Sequence, residues 1–196
     1  MTALLGLAGC SDGEEALGPA GTVGTAPITP PTTLRPIDPA VVPEDPAEID
    51  EAYVQAVVDA LFAVDAQATR IFVETNTPDP EAVDFLRAIY LQEELEQQVD
   101  VWFKSLARGA DDLLPGALKN DVTRLISVTG DCVFFEVETD FSAATTREVP
   151  RSPNYLGITP KHEGDDPSGL NPTAWMLFSD GVDLDGSEPE NPCADS

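Results

Sequence analysis

Positive charge is scarce in this chain. Ten Lys and Arg stand against 36 Asp and Glu, a formal net charge of −26 over 196 residues. Phosphates would be repelled rather than neutralised, so electrostatic binding of nucleic acid is excluded, and direct docking on an anionic membrane surface is disfavoured. Histidine is nearly absent, with one residue, and there are three cysteines. That leaves little material for a His/Cys metal centre, and no cofactor is expected. No run of about 18 apolar residues exists, so no ordinary spanning helix is predicted. There is no Gly-rich phosphate loop, no Gly-x-Ser-x-Gly and no His-Glu-x-x-His. What is present is 42% apolar residues, enough for a core.

The N-terminal Leu7-Ala8-Gly9-Cys10 resembles the bacterial lipobox. Small residues before Cys suit the signal peptidase there, and the Cys thiol receives a diacylglyceryl group. The stretch before Cys10 lacks Lys or Arg and is shorter than the 7–15 apolar residues a signal peptide needs. The expectation is a lipoprotein whose start codon lies upstream of Met1. Residues 1–9 are then a signal-peptide remnant and Cys10 is the lipidated residue. The alternative is a chance run of small residues in a cytosolic protein.

Residues 10–44 read as the lipidated Cys and a Pro/Gly/Thr-rich linker. Pro27, Pro30, Pro31, Pro36, Pro39 and Pro43 block helix there. Fully extended, the stretch from Ser11 to Pro43 reaches on the order of 100 Å. The predicted location is the extracytoplasmic face of the cell membrane, held by a lipid anchor.

With Cys10 assigned to the anchor, Cys132 and Cys193 remain as a pair. An exported protein meets an oxidising compartment where a disulfide persists. Two free thiols are the alternative. A metal site on these cysteines lacks Cys-x-x-Cys spacing.

Residues 45–196 read as one α+β domain. Asp45, Pro46 and Glu48 make a cap, a first helical residue and a capping-box partner. Ile49, Tyr53, Val57, Leu61, Val64, Ala68 and Ile71 then recur at helical spacing. Asp79-Pro80-Glu81 starts a second helix. Its stripe is Val83, Leu86, Ile89 or Tyr90, Leu95, Val99, Trp102 and Leu106, with Gly109 as the stop. Both helices are predicted to be long and antiparallel, and a short helical turn is expected within 111–119.

Val122, Arg124, Ile126 and Val128 alternate as a strand, and Thr129-Gly130-Asp131 reads as a hairpin turn. Cys132 to Phe141 follows, with Val133, Phe135 and Val137 facing inward and Phe134, Glu136 and Glu138 facing outward. Residues 142–172 read as loop with a short strand at Tyr155 to Thr159. Thr173 to Ser179 reads as a last strand.

This order of elements, with Gly-Asp-Cys132 opening a strand, the strand of Trp175 and Asn-Pro-Cys193 near the end, resembles exported actinobacterial proteins with an NTF2-like domain. The resemblance implies two long N-terminal helices packed on a curved antiparallel sheet, an NTF2-like cone. It also implies a disulfide from an early strand to the C-terminus.

Ketosteroid isomerase-like relatives use the cone's pocket, which needs a buried carboxylate base beside a Tyr or acid donor. Tyr53, Tyr90, Asp100, Glu136 and Glu138 are the residues to examine, against a reading of core tyrosines with solvated carboxylates. Asp183, Asp185 and Gly186 fit positions 3, 5 and 6 of a calcium loop, but Gly181 and Pro192 then fall at positions 1 and 12, where ligands are required. An acidic surface loop is the default there, with a weak irregular calcium site as the alternative. Glu93, Glu94 and Glu96 are expected on a solvated helix face, and His162 is expected to be exposed. The reading taken is a membrane-tethered, non-catalytic module for an unknown protein or small apolar ligand. The alternative is a small-pocket NTF2-like enzyme or hydrophobic-ligand carrier.

Overall fold

The computed structural model describes residues 37–77, 79–108, 112–181 and 189–194. Cys10 and most of the expected linker lie outside the described residues, as do Gly109, Asp183, Asp185 and Gly186. The described residues are α+β, with three α-helices and a four-stranded antiparallel sheet. The helices are α1 (Glu51–Thr75), α2 (Pro80–Ile89) and α3 (Gln92–Arg108). The strands are β1 (Lys119–Val128), β2 (Val133–Asp140), β3 (Ser152–Pro160) and β4 (Trp175–Gly181). Their spatial order is β1-β2-β3-β4, each pair antiparallel.

The first helix begins one cap later than expected. Asp45 accepts from the Ala47 amide and caps only a 3₁₀ turn, Pro46–Glu48. Ile49 leaves helical geometry, and Asp50 then caps α1 by accepting from the Tyr53 amide at 2.8 Å. At the other end Asn76 takes the left-handed conformation (φ 50°) and its amide bonds to the Phe72 carbonyl. The Asp79-Pro80 start of α2 is as read, with Asp79 accepting from the Glu81 amide.

The single long second helix is divided. Tyr90 is extended (φ −105°, ψ 138°) and forms a parallel bridge with Leu177. The Leu91 amide donates to the Leu177 carbonyl at 2.8 Å. The free edge of β4 thus supplies the acceptor that a continuing helix would have supplied. Of the helical turn predicted within 111–119, Asp112 lies in a 3₁₀ turn. Beyond it Leu113 bridges Thr145, and the Leu114 amide donates to the Ala144 carbonyl at 2.9 Å.

The helices cover one face of the sheet. Val133, Phe135 and Val137 from β2, Leu156 and Ile158 from β3, and Trp175 and Leu177 from β4 are fully buried there against α1 and α2 side chains. Strict alternation fails in β1. Register shifts between Val122 and Arg124 and between Leu125 and Ser127 turn the strand. Val122, Leu125 and Val128 therefore meet the main core, while Ile126 lies on the other face.

On that other face a second apolar cluster joins Cys132, Phe134, Tyr155 and Cys193, with Ile126 and Phe178 against it. Phe178 lies over Gly157, where a Cβ would stand 2.7 Å from the ring.

Among the described residues, the stretch from Ile37 to Val42, expected as part of the linker, packs on the domain. Three contacts carry this. The Ala174 amide donates to the Pro39 carbonyl, the Tyr53 hydroxyl donates to the Val41 carbonyl, and Val42 packs on the core.

Candidate functional site

Cys132 and Cys193 are joined by a disulfide with Cα atoms 5.7 Å apart. Both are buried, and they close a loop of sequence separation 61. Cys132 ends the β1–β2 turn, in which Thr129 Oγ1 accepts from the Cys132 amide at 2.9 Å. The bond brings Cys193 into the cluster of Phe134 and Tyr155, whose rings stack at 6.1 Å.

Tyr53 is buried on α1, where the apolar stripe placed it. Its hydroxyl is committed at both ends: it accepts from Trp175 Nε1 at 2.7 Å and donates to the Val41 carbonyl at 2.7 Å. Burial pushes the phenol up, the bond from the Trp175 indole pulls it back, and the Asp38 carboxylate adds to the rise. The group is a structural joint between the N-terminal arm, α1 and β4. Tyr90 is buried at the α2–α3 break.

The expected carboxylates do not converge on either tyrosine. Asp100 is exposed and pairs with Lys104. Glu136 pairs with Arg124 at 2.9 Å, and Glu138 with Arg151 at 3.3 Å, both across the outward side of the sheet. His162 is exposed. Of the acidic trio on α3, Glu93 and Glu96 are solvated as expected, but Glu94 is buried at 5% exposure. It accepts from Gln98 Nε2 at 2.9 Å. Asp65 on α1 is a further buried carboxylate, at 6% exposure, which no motif singled out. Its sequence signal is position: it interrupts the apolar row Leu61, Ala68, Phe72 at helical spacing.

Asp166 organises the loop between β3 and β4. It accepts from the Ser168 hydroxyl and from the amides of Gly169 and Asn171. Burial alone would raise this carboxyl, but those bonds and the Lys161 ammonium outweigh it and hold the group below the ordinary range. The same bonds seat Asn171, whose Nδ2 donates to the Trp175 carbonyl.

An open groove lies between the start of α1 and β1, lined by Asp50, Glu51, Ala52, Arg124 and Leu125. Neither buried carboxylate lines it. Eight of the ten basic residues have described side chains, and each is paired with a carboxylate: Arg70, Arg87, Lys104, Lys119, Arg124, Arg147, Arg151 and Lys161. The described surface therefore offers no uncompensated cation to a phosphate or other anion. Among the described residues no group of three His, Cys, Asp or Glu is arranged to hold a metal, and no helix is long and apolar enough to cross a membrane. No family model matches the chain, and neither a curated protein nor a solved structure matches it.

Proposed function

We propose that the chain is a membrane-tethered extracytoplasmic lipoprotein domain acting as a non-catalytic module for a protein or small apolar ligand. The observation that carries the reading is the buried Cys132–Cys193 bond, because such a bond persists in oxidising compartments outside the cytosol. It joins two of the three cysteines and leaves Cys10, within Leu7-Ala8-Gly9-Cys10, as the thiol for an anchor.

The non-catalytic part is supported by Tyr53, whose hydroxyl is held by Trp175 and Val41, and by Glu136 and Glu138, which face arginines instead of a pocket. We also propose the NTF2-like cone as the finer fold. Its support is the order of helices before an antiparallel sheet and the bond from the start of β2 to the C-terminal segment. The division between α2 and α3 departs from it.

The test uses native membranes and detergent phase separation. The wild-type protein is expected in the detergent phase, with a diacylglyceryl mass on a peptide beginning at Cys10, and Cys10→Ala in the aqueous phase. An unmodified Met1 peptide from the native host overturns the reading.

A further inference from the structure

The two edges of the sheet are closed in different ways. At β4 the backbone of Tyr90 and Leu91 pairs with Leu177. At β1, the other terminal strand, the closure among the described residues runs through a side chain. Gln55 Nε2 donates to the Asn120 carbonyl at 2.9 Å, and the Val122 amide donates to Gln55 Oε1 at 2.7 Å. An acceptor and a donor flanking one residue, here Asp121, are what a single residue of a parallel added strand would satisfy. The amide orientation is dictated by its neighbours, because Val122 can only donate and the Asn120 carbonyl can only accept. A third bond, Gln55 Nε2 to Asp59 Oδ1 at 2.8 Å, steadies it from the next turn of α1. On the β1 side Asn120 is buried and Thr139 Oγ1 donates to its Oδ1 at 2.7 Å, while its Nδ2 finds no partner among the described residues.

We propose that Gln55 is an edge lock: its amide stands in for one peptide unit and keeps β1 closed to strand addition by a second copy of the chain. An unpaired edge is a template for a second strand, and a two-fold axis would set β1 of a like chain antiparallel against it. That pairing would draw on the same Asn120 carbonyl and Val122 amide that Gln55 occupies. The two register shifts in β1 blunt the Arg124–Val128 half, so the Asn120–Val122 half, the regular part, is where the lock is needed.

The test compares the full chain with Gln55→Ala, Gln55→Met and Asp59→Ala, folding being checked by far-UV circular dichroism. Two readouts are taken: hydrogen exchange at the Val122 amide, and sedimentation over a concentration series at about 0.5 M salt, which screens the self-repulsion of so acidic a chain. In the wild type the Val122 amide should be protected and the chain should sediment as one species at all concentrations. Both Gln55 variants should speed Val122 exchange by about tenfold, the equivalent of one hydrogen bond, and should associate as concentration rises. Asp59→Ala should give a smaller acceleration. An unprotected Val122 amide in the wild type overturns the proposal without any variant. Faster exchange with no association overturns it too, reducing Gln55 to a local tie.

Discussion

Tyr53→Phe is the perturbation that weighs most on this architecture. The substitution removes one oxygen from a site where Tyr53 is 5% exposed and Trp175 is wholly buried. Trp175 Nε1 loses its acceptor at 2.7 Å and is left as a buried unsatisfied donor, a cost of about 1–3 kcal/mol. The Val41 carbonyl loses a donor, but Val41 is 54% exposed and water can replace it, so that bond adds about 0.5–1 kcal/mol.

The expected loss is about 1.5–4 kcal/mol in urea unfolding of the oxidised protein, on the order of 10 °C in thermal midpoint for a chain of this size. The indole N–H of Trp175 should pass from slow to fast hydrogen exchange by NMR. A cycle isolates the arm's share. A chain beginning at Glu44 lacks the Pro39 and Val41 carbonyls and Val42, and should be about 2–3 kcal/mol less stable than one beginning at Pro36. Tyr53→Phe should then cost about 1 kcal/mol less in the shorter chain, because one of its two bonds is already gone. A Tyr53→Phe variant within 0.5 kcal/mol of wild type, with the indole N–H still protected, would refute the joint.

Three further outcomes follow from single contacts. Cys193→Ser should lower stability by about 2–4 kcal/mol, since the bond closes a loop of sequence separation 61, and limited proteolysis should cut the C-terminal segment first. Asp166→Asn should cost about 1–3 kcal/mol by depriving an amide or hydroxyl of its acceptor. Because this carboxyl titrates below its unfolded value, its contribution is whole above the ordinary carboxylate range and is lost as pH falls through the folded value. Acid unfolding should therefore begin at a lower pH in wild type than the same titration would show were Asp166 unperturbed, and Asp166→Asn should flatten that part of the profile. Gly157→Ala should destabilise by about 1–3 kcal/mol, since its new Cβ meets the Phe178 ring, and Phe178→Leu in the same chain should recover part of the loss. Equal costs of Gly157→Ala in both backgrounds would show that the ring is not the obstacle.

The parts of the fold that were legible in the sequence are those decided locally. Asp79 caps α2 through the Glu81 amide two residues on, with Pro80 preset as the first helical residue. Alternation across Cys132 to Val137 sends Phe135 inward and Phe134 outward because the pleat has period two. The parts that were not legible depend on distant partners. The α2–α3 break needs the Leu177 carbonyl, which is 86 residues from the Leu91 amide that uses it. A trace was present even so. The second stripe offered either Ile89 or Tyr90 and then skipped to Leu95, a gap of five residues, which rotates the apolar face unless the helix ends. The arm from Ile37 to Val42 carried no such trace. Proline-rich composition excludes helix and says nothing about docking, and its anchors, Tyr53 and Ala174, belong to other elements.

The chemistry of the interior divides the same way. Tyr53 and Tyr90 lie on the apolar stripes of the sequence, and both are buried. What spacing alone leaves undefined is the second partner of a polar tip, and for Tyr53 that partner is Trp175, 122 residues away. Asp65 was within reach of the sequence, because a carboxylate between Leu61 and Ala68 on an otherwise apolar row marks itself as an exception. Glu94 was not, since the α3 stripe restarts after Leu91 with a new phase, and only that new phase turns Glu94 inward beside Leu95 while Glu93 and Glu96 stay in water. A carboxylate's burial on a helix is therefore as legible as the helix's phase, and the phase of α3 is set by the edge of β4.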